Sequence, residues 1–101
     1  KVSYEAKLIG ERPAGRTDPQ TDIVRLTHAT VAALGFTPDH GASSTDSNVP
    51  MSLGIPAVTI GSGGAGGRAH ALDEWIDVEK SASVKGMQVG LAALLAVAGV
   101  D

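Results

Sequence analysis

A short apolar run, residues 55–60 (IPAVTI), empties into a loop with five glycines between Gly61 and Gly67, which then delivers Arg68, His70, Asp73 and Glu74. This junction constrains the chain more than any other stretch. A continuous apolar run bounded by glycines suits a strand buried on both faces of a parallel sheet. Glycine loses more backbone freedom on folding than any other residue, so a cluster of them implies a backbone that something approaches closely or that takes positive φ.

The remaining segments supply helices and one further strand. Residues 1–9 alternate, with Val2, Tyr4, Ala6 and Leu8 on one face and Ser3, Glu5 and Lys7 on the other, the pattern of a half-buried edge or antiparallel strand. Lys1 already lies within that pattern, without an initiator methionine, and looks like a cut end. Residues 10–20 hold two prolines and two glycines and read as a linker. Asp18 before Pro19 signals a helix start; Ile23, Leu26, Thr27, Thr30, Val31 and Leu34 form its apolar stripe, and Gly35 stops it. A short strand is compatible with residues 39–42. Pro50 fits only the first turn of a short helix, capped by Asp46 or Ser47 and closed by Gly54. Asp77 is expected to cap a last helix whose stripe is Val84, Met87, Leu91, Leu94, Leu95 and Ala98. This order is that of an α/β unit, and its loops near Asp46 and His70 fall where open α/β sheets place ligands.

At 101 residues the chain is one domain at most. A net charge of −3 with scattered basic residues argues against a nucleic-acid or acidic-membrane surface, and three aromatic residues provide no stacking platform. Without cysteine, any metal must be held by imidazole and carboxylate. The C-terminal LAALLAVAGV is too short an apolar run to span a membrane, so a cytoplasmic protein without a membrane partner is expected.

Gly61, Gly63 and Gly66 match G-x-G-x-x-G, but no second strand ending in an acid follows, so the dinucleotide-binding frame is missing. A phosphate-binding P-loop would need Gly-Lys-Ser/Thr, which is absent. Gly61-Ser62-Gly63 lacks the spacing of a nucleophile elbow, which weakens a Ser62–His70–Asp46 hydrolase. His70 is a candidate zinc ligand that could share a helix face with Glu74, although one histidine cannot build a site that takes three or four ligands. His28 and His40 are poorer candidates, one off the apolar stripe and the other in a turn.

Taken together, STDSNVPMSLGIPAVTIGSGGAGGRAHALDEWIDVE resembles the C-terminal part of the catalytic domain in the di-zinc exopeptidase and amidohydrolase family of peptidase T, aminoacylase and acetylornithine deacetylase. The resemblance implies an α/β fold with helices packed on a small, mostly parallel sheet. Residues 1–15 would be the last strand of the dimerisation domain with its linker, and residues 16–101 the C-terminal part of the catalytic domain. It implies a metallopeptidase with two zinc ions, His70 being one ligand, and Thr45 and Asp46 bracing the loops around substrate. Gly63 and Gly64 would offer backbone to the substrate, and Asp46, Asp73 or Glu74 would orient the second nitrogen of His70. Many members of that family carry Arg-Gly-Gly where this chain has Ala42-Ser43-Ser44, so an arginine clamp on the substrate carboxylate is not expected from that position. The remaining ligands and the general-base glutamate are expected outside this chain, which would be a fragment inactive alone. The substrate would be a small peptide or N-acyl amino acid, and a homodimer is possible. The competing expectation is a non-catalytic α/β module that binds an anion or nucleotide at the glycine loop.

Overall fold

The computed structural model describes residues 2–99. Its elements run α1 (Asp22–Ala33), α2 (Asn48–Ser52), β1 (Gly66–Gly67), β2 (Trp75–Ile76) and α3 (Lys80–Ala98). β1 and β2 pair antiparallel, with Gly66 opposite Ile76 and Gly67 opposite Trp75. Helices α1 and α3 pack on each other.

The first helix starts later than its Asp18-Pro19 signal. Asp18 instead makes a turn, its carboxylate accepting from the Gln20 amide and its carbonyl from the Thr21 amide and hydroxyl, so Thr21 becomes the N-cap. Both early helices end in the same way. At Gly35 (φ 88°) the Gly35 amide donates to the Ala32 carbonyl and the Phe36 amide to Val31. At Gly54 (φ 77°) the equivalent bonds run from Gly54 to Met51 and from Ile55 to Pro50. This paired closure satisfies carbonyls that the helix leaves open and needs a left-handed residue, hence glycine. Pro50 sits in the first turn of α2, as its missing amide requires.

The third helix departs from its expected face. The buried residues of α3 are Gly86, Val89 and Ala93, a narrow strip of small side chains at helical spacing. Val84, Met87, Leu91, Leu94 and Leu95 are instead 45–64% exposed. Bulk would hold a partner away, whereas Gly86 lets the glycine loop touch the helix backbone: a Cβ on Gly63 would lie 2.6 Å from the Gly86 Cα. Close approach outweighs bulk here, and the larger apolar face is left without a partner. Asp77 does not cap this helix directly; Glu79 does, and the Asp77 carboxylate, two residues earlier, accepts from the Glu79 amide.

The expected strands also differ. Residues 2–9 carry no strand, and Val2, Tyr4, Leu8 and Ile9 stand 79–99% exposed, because a strand holds only with a ladder beside it. Residues 55–60 form no strand either; no neighbouring strand among the described residues pairs with them, and Thr17 bridges one residue, its hydroxyl donating to the Ala57 carbonyl (2.6 Å) and accepting from the Ala57 amide (3.0 Å). No strand forms at 39–42. The sheet among the described residues is therefore a two-stranded antiparallel ribbon rather than a mostly parallel sheet.

The chain exposes 8233 Å², against about 5,300 Å² for a folded monomer of this mass. Its radius of gyration is 17.2 Å, against about 13 Å for a compact domain of this length. Both excesses have one origin, since Val89 and Ala93 are the hydrophobic residues that become buried among the described residues. Helix α3 continues N-terminal to the apolar run counted above, and an 18-residue window within its 19 residues has a mean hydropathy of 1.4, which meets the length and composition of a membrane-crossing helix without marking it as one. Its small-residue side is nonetheless packed on protein.

Candidate functional site

The glycine loop is the base of a hairpin. Gly63 (φ 88°) and Gly64 (φ 69°) turn the chain against α3, where a Cβ on Gly64 would meet the Ser83 hydroxyl at 2.9 Å and the Asp77 carbonyl at 3.1 Å. β1 then rises, and the Asp77 amide donates to the Ala65 carbonyl (2.7 Å), extending the ribbon by one bond. Gly67 lies under the Trp75 indole, whose Nε1 would be 2.8 Å from a Cβ there.

His70 stands at the tip of this hairpin, in the loop 68–74. Among the described residues, Arg68 (φ 57°) and His70 (φ 66°) are the two non-glycine residues with left-handed backbone, a conformation that costs about 1–2 kcal/mol for an L-residue. Two turn bonds hold it, Ala71 amide to Arg68 carbonyl (3.0 Å) and Glu74 amide to Ala71 carbonyl (3.1 Å). The Arg68 Nε to Asp73 Oδ2 ion pair at 2.6 Å ties the two arms together. His70 and Glu74 therefore share no helix face; the glycines and the left-handed pair convert the segment into a loop. Both side chains are exposed.

Two of the three acids expected to orient His70, Asp73 and Asp46, are engaged elsewhere. Asp73 pairs with Arg68, and Asp46 accepts from Arg12 Nη2 at 2.9 Å, the same guanidinium reaching Ser44 Oγ at 3.3 Å. Among the described residues the His70 ring makes no hydrogen bond, and no three His, Asp or Glu side chains converge as a metal site.

Thr45 occupies a different place. Its hydroxyl lies 2.8 Å from the Thr59 hydroxyl and accepts from the Ser47 amide (3.2 Å), while its amide donates to Asn48 Oδ1 (3.2 Å). Ser47 Oγ reaches Thr59 Oγ1 (2.5 Å) and the Val58 carbonyl (3.2 Å). Three hydroxyls thus rivet the start of α2 to the segment 55–60. Thr45, Gly63 and Gly64 also line an open basin of about 1000 Å³ whose other walls include Val31, Phe36, Ile60 and Val89. His70, Asp46 and Glu74 are not among its walls. A basin this large and apolar between helices has the lining of an unfilled core, since packed interiors leave few voids larger than a water.

Three constellations were not legible as such in the sequence: the Thr45–Ser47–Thr59 hydroxyl cluster, the Arg12–Asp46 pair, and His28 against His40, whose ring nitrogens lie 3.0 Å apart. Each joins residues at least 12 positions apart, and only the density of hydroxyls in STDS hinted at one of them. No family model and no curated sequence matches the chain, so the site is read from its own residues and their arrangement.

Proposed function

We propose that the chain is part of a zinc-dependent metallopeptidase or amidohydrolase of the di-zinc exopeptidase type, to which it contributes His70 as one metal ligand. The observation that carries the reading is the hairpin tip. An imidazole is held out at positive φ on a loop closed by an ion pair, with neither ring nitrogen engaged among the described residues. Non-glycine residues in this conformation persist only where the surroundings over-determine them, and they concentrate at functional sites.

An exposed neutral imidazole suits zinc as a single donor, and the other donors and the general base must come from other polypeptide. Bound zinc would polarise a scissile carbonyl and lower the pKa of a water. The chain's own residues do the positioning. Thr45 rivets the loop before α2 to residues 55–60, Asp46 holds Arg12 beside that loop, Gly63 and Gly64 set the angle at which the hairpin leaves α3, and Glu74 is the acid nearest in sequence left to face substrate or the His70 ring. The surplus exposed surface and the apolar basin support the view that the rest of a catalytic domain covers this piece. The substrate would be a small peptide or N-acyl amino acid, the second zinc would be held elsewhere, and a cytoplasmic homodimer through residues 1–9 belongs to the same proposal. The anion-binding alternative gains less, because the close approach that glycine permits at Gly63 is taken by Gly86.

The test is His70→Ala in the intact enzyme, with zinc content and amide hydrolysis measured together. Loss of bound zinc with loss of turnover is expected; unchanged zinc and unchanged turnover would remove His70 from the metal centre.

A further inference from the structure

His28 lies on α1, two turns before the glycine closure at Gly35. That closure reverses the chain, and Phe36 is held beneath the Lys85 ammonium, 4.8 Å from the ring centroid. Residues 36–40 therefore run back along α1 and bring His40 to His28. His28 Nδ1 and His40 Nε2 are 3.0 Å apart, with the rings edge to face at 83°. Both side chains are exposed and border a hollow of about 300 Å³ that Gln20 and Arg25 also line.

We propose that His28 and His40 form a two-imidazole clamp for a divalent transition-metal ion, independent of His70. Two nitrogens each about 2.0–2.1 Å from one metal, at angles between square and tetrahedral, stand about 2.9–3.4 Å apart. The observed separation falls within that span, so the rings need to turn rather than travel. In the metal-free pair one ring N–H donates a hydrogen bond to the other ring's nitrogen. On binding, the donor ring carries that hydrogen on its outer nitrogen instead, so both lone pairs face the ion and no net proton is released. Two imidazoles with water in the remaining positions favour copper(II) over nickel(II) and zinc. Arg25 on the rim disfavours a cation and Asp39, next to His40, favours one. Gln20, which also lines the hollow, carries an amide oxygen as a hard donor.

The experiment titrates the full chain with copper(II) against a competing chelator, reading stoichiometry by calorimetry and nitrogen hyperfine splitting by electron paramagnetic resonance. One equivalent with two imidazole nitrogens is expected. His28→Ala and His40→Ala should each weaken binding by about tenfold or more, whereas His70→Ala should leave it unchanged. Because a variant could lose α1, zinc is also titrated into the unaltered chain while the ring nitrogen resonances are followed. Shifts at His28 and His40 together support the clamp. Copper that follows His70 or the terminal amine, or imidazole resonances of His28 and His40 that stay still, overturns it.

Discussion

Gly63 and Gly86 touch backbone to backbone, so that a Cβ built on Gly63 would lie 2.6 Å from the Gly86 Cα and 2.9 Å from its carbonyl carbon. Gly86→Ala therefore sets two effects against each other. Alanine in a helix interior gains about 1 kcal/mol over glycine, whereas forcing a methyl into a closed contact costs about 1–3 kcal/mol. The backbone of Gly63 cannot swing aside as a side chain can, so Gly86→Ala should destabilise on balance. Gly63→Ala should destabilise further, because φ is 88° there. Denaturant unfolding followed by helical circular dichroism measures both, and a more stable Gly86→Ala would refute the contact.

Gly90, one turn further along α3, is the control. A Cβ there would meet the Ile60 Cδ1 at 3.6 Å, an ordinary contact. Gly90→Ala should raise stability by up to about 1 kcal/mol in the same unfolding experiment. The opposite signs at two glycines of one helix separate packing from propensity.

The start of α3 should respond to acid. Glu79 accepts from the Ser81 hydroxyl and from the Ser81 and Ala82 amides, and the hydroxyl first, then the amides, hold its carboxyl below the ordinary value of 4.5. These bonds favour the ionised form, so the cap's contribution is fully present above the ordinary value and is lost as the pH falls through the lowered one. Helicity of α3 should drop in that acid window, and Glu79→Gln should flatten the dependence. An identical acid profile in that variant would show that other carboxyls govern the transition.

The surface surplus predicts association. With roughly 2,900 Å² more exposed than a compact monomer of its mass would show, the chain carries more uncovered area than a standard protein interface buries. Sedimentation should show oligomers that grow with concentration, and an apolar dye should fluoresce on binding. A monodisperse monomer silent to the dye would mean that the apolar faces of α3 and of residues 2–9 find cover within the chain.

What could be read from the sequence was local. Gly35, Gly54 and Pro50 fixed their helix boundaries because the constraint lies in one residue's own backbone: positive φ for the glycines, a missing amide for the proline. The glycine loop's close approach was legible for the same reason, though not its target. Partners in space were not legible. The pattern of α3 points to its bulky stripe rather than its small one because sequence patterns record how much apolar area a face offers, not how near another backbone must come. Residues 1–9 and 55–60 carry strand patterns, yet a pattern supplies no neighbour to pair with. At the candidate site, the ion pairs of Asp46 and Asp73 were not legible, since Arg12 and Arg68 reach them from positions that spacing does not reveal.

The tip carrying His70 also has a stereochemical consequence. Its two strained positions, Arg68 and His70, use a backbone that is the mirror image of ordinary helical geometry. A D-amino acid enters that region as readily as an L-residue enters the usual one. A chain of 101 residues lies within reach of chemical ligation, so D-histidine at position 70 would keep the imidazole on the tip while relieving the torsional cost. The hairpin is thus a site where inverting one stereocentre should stabilise the loop that its natural enantiomer strains.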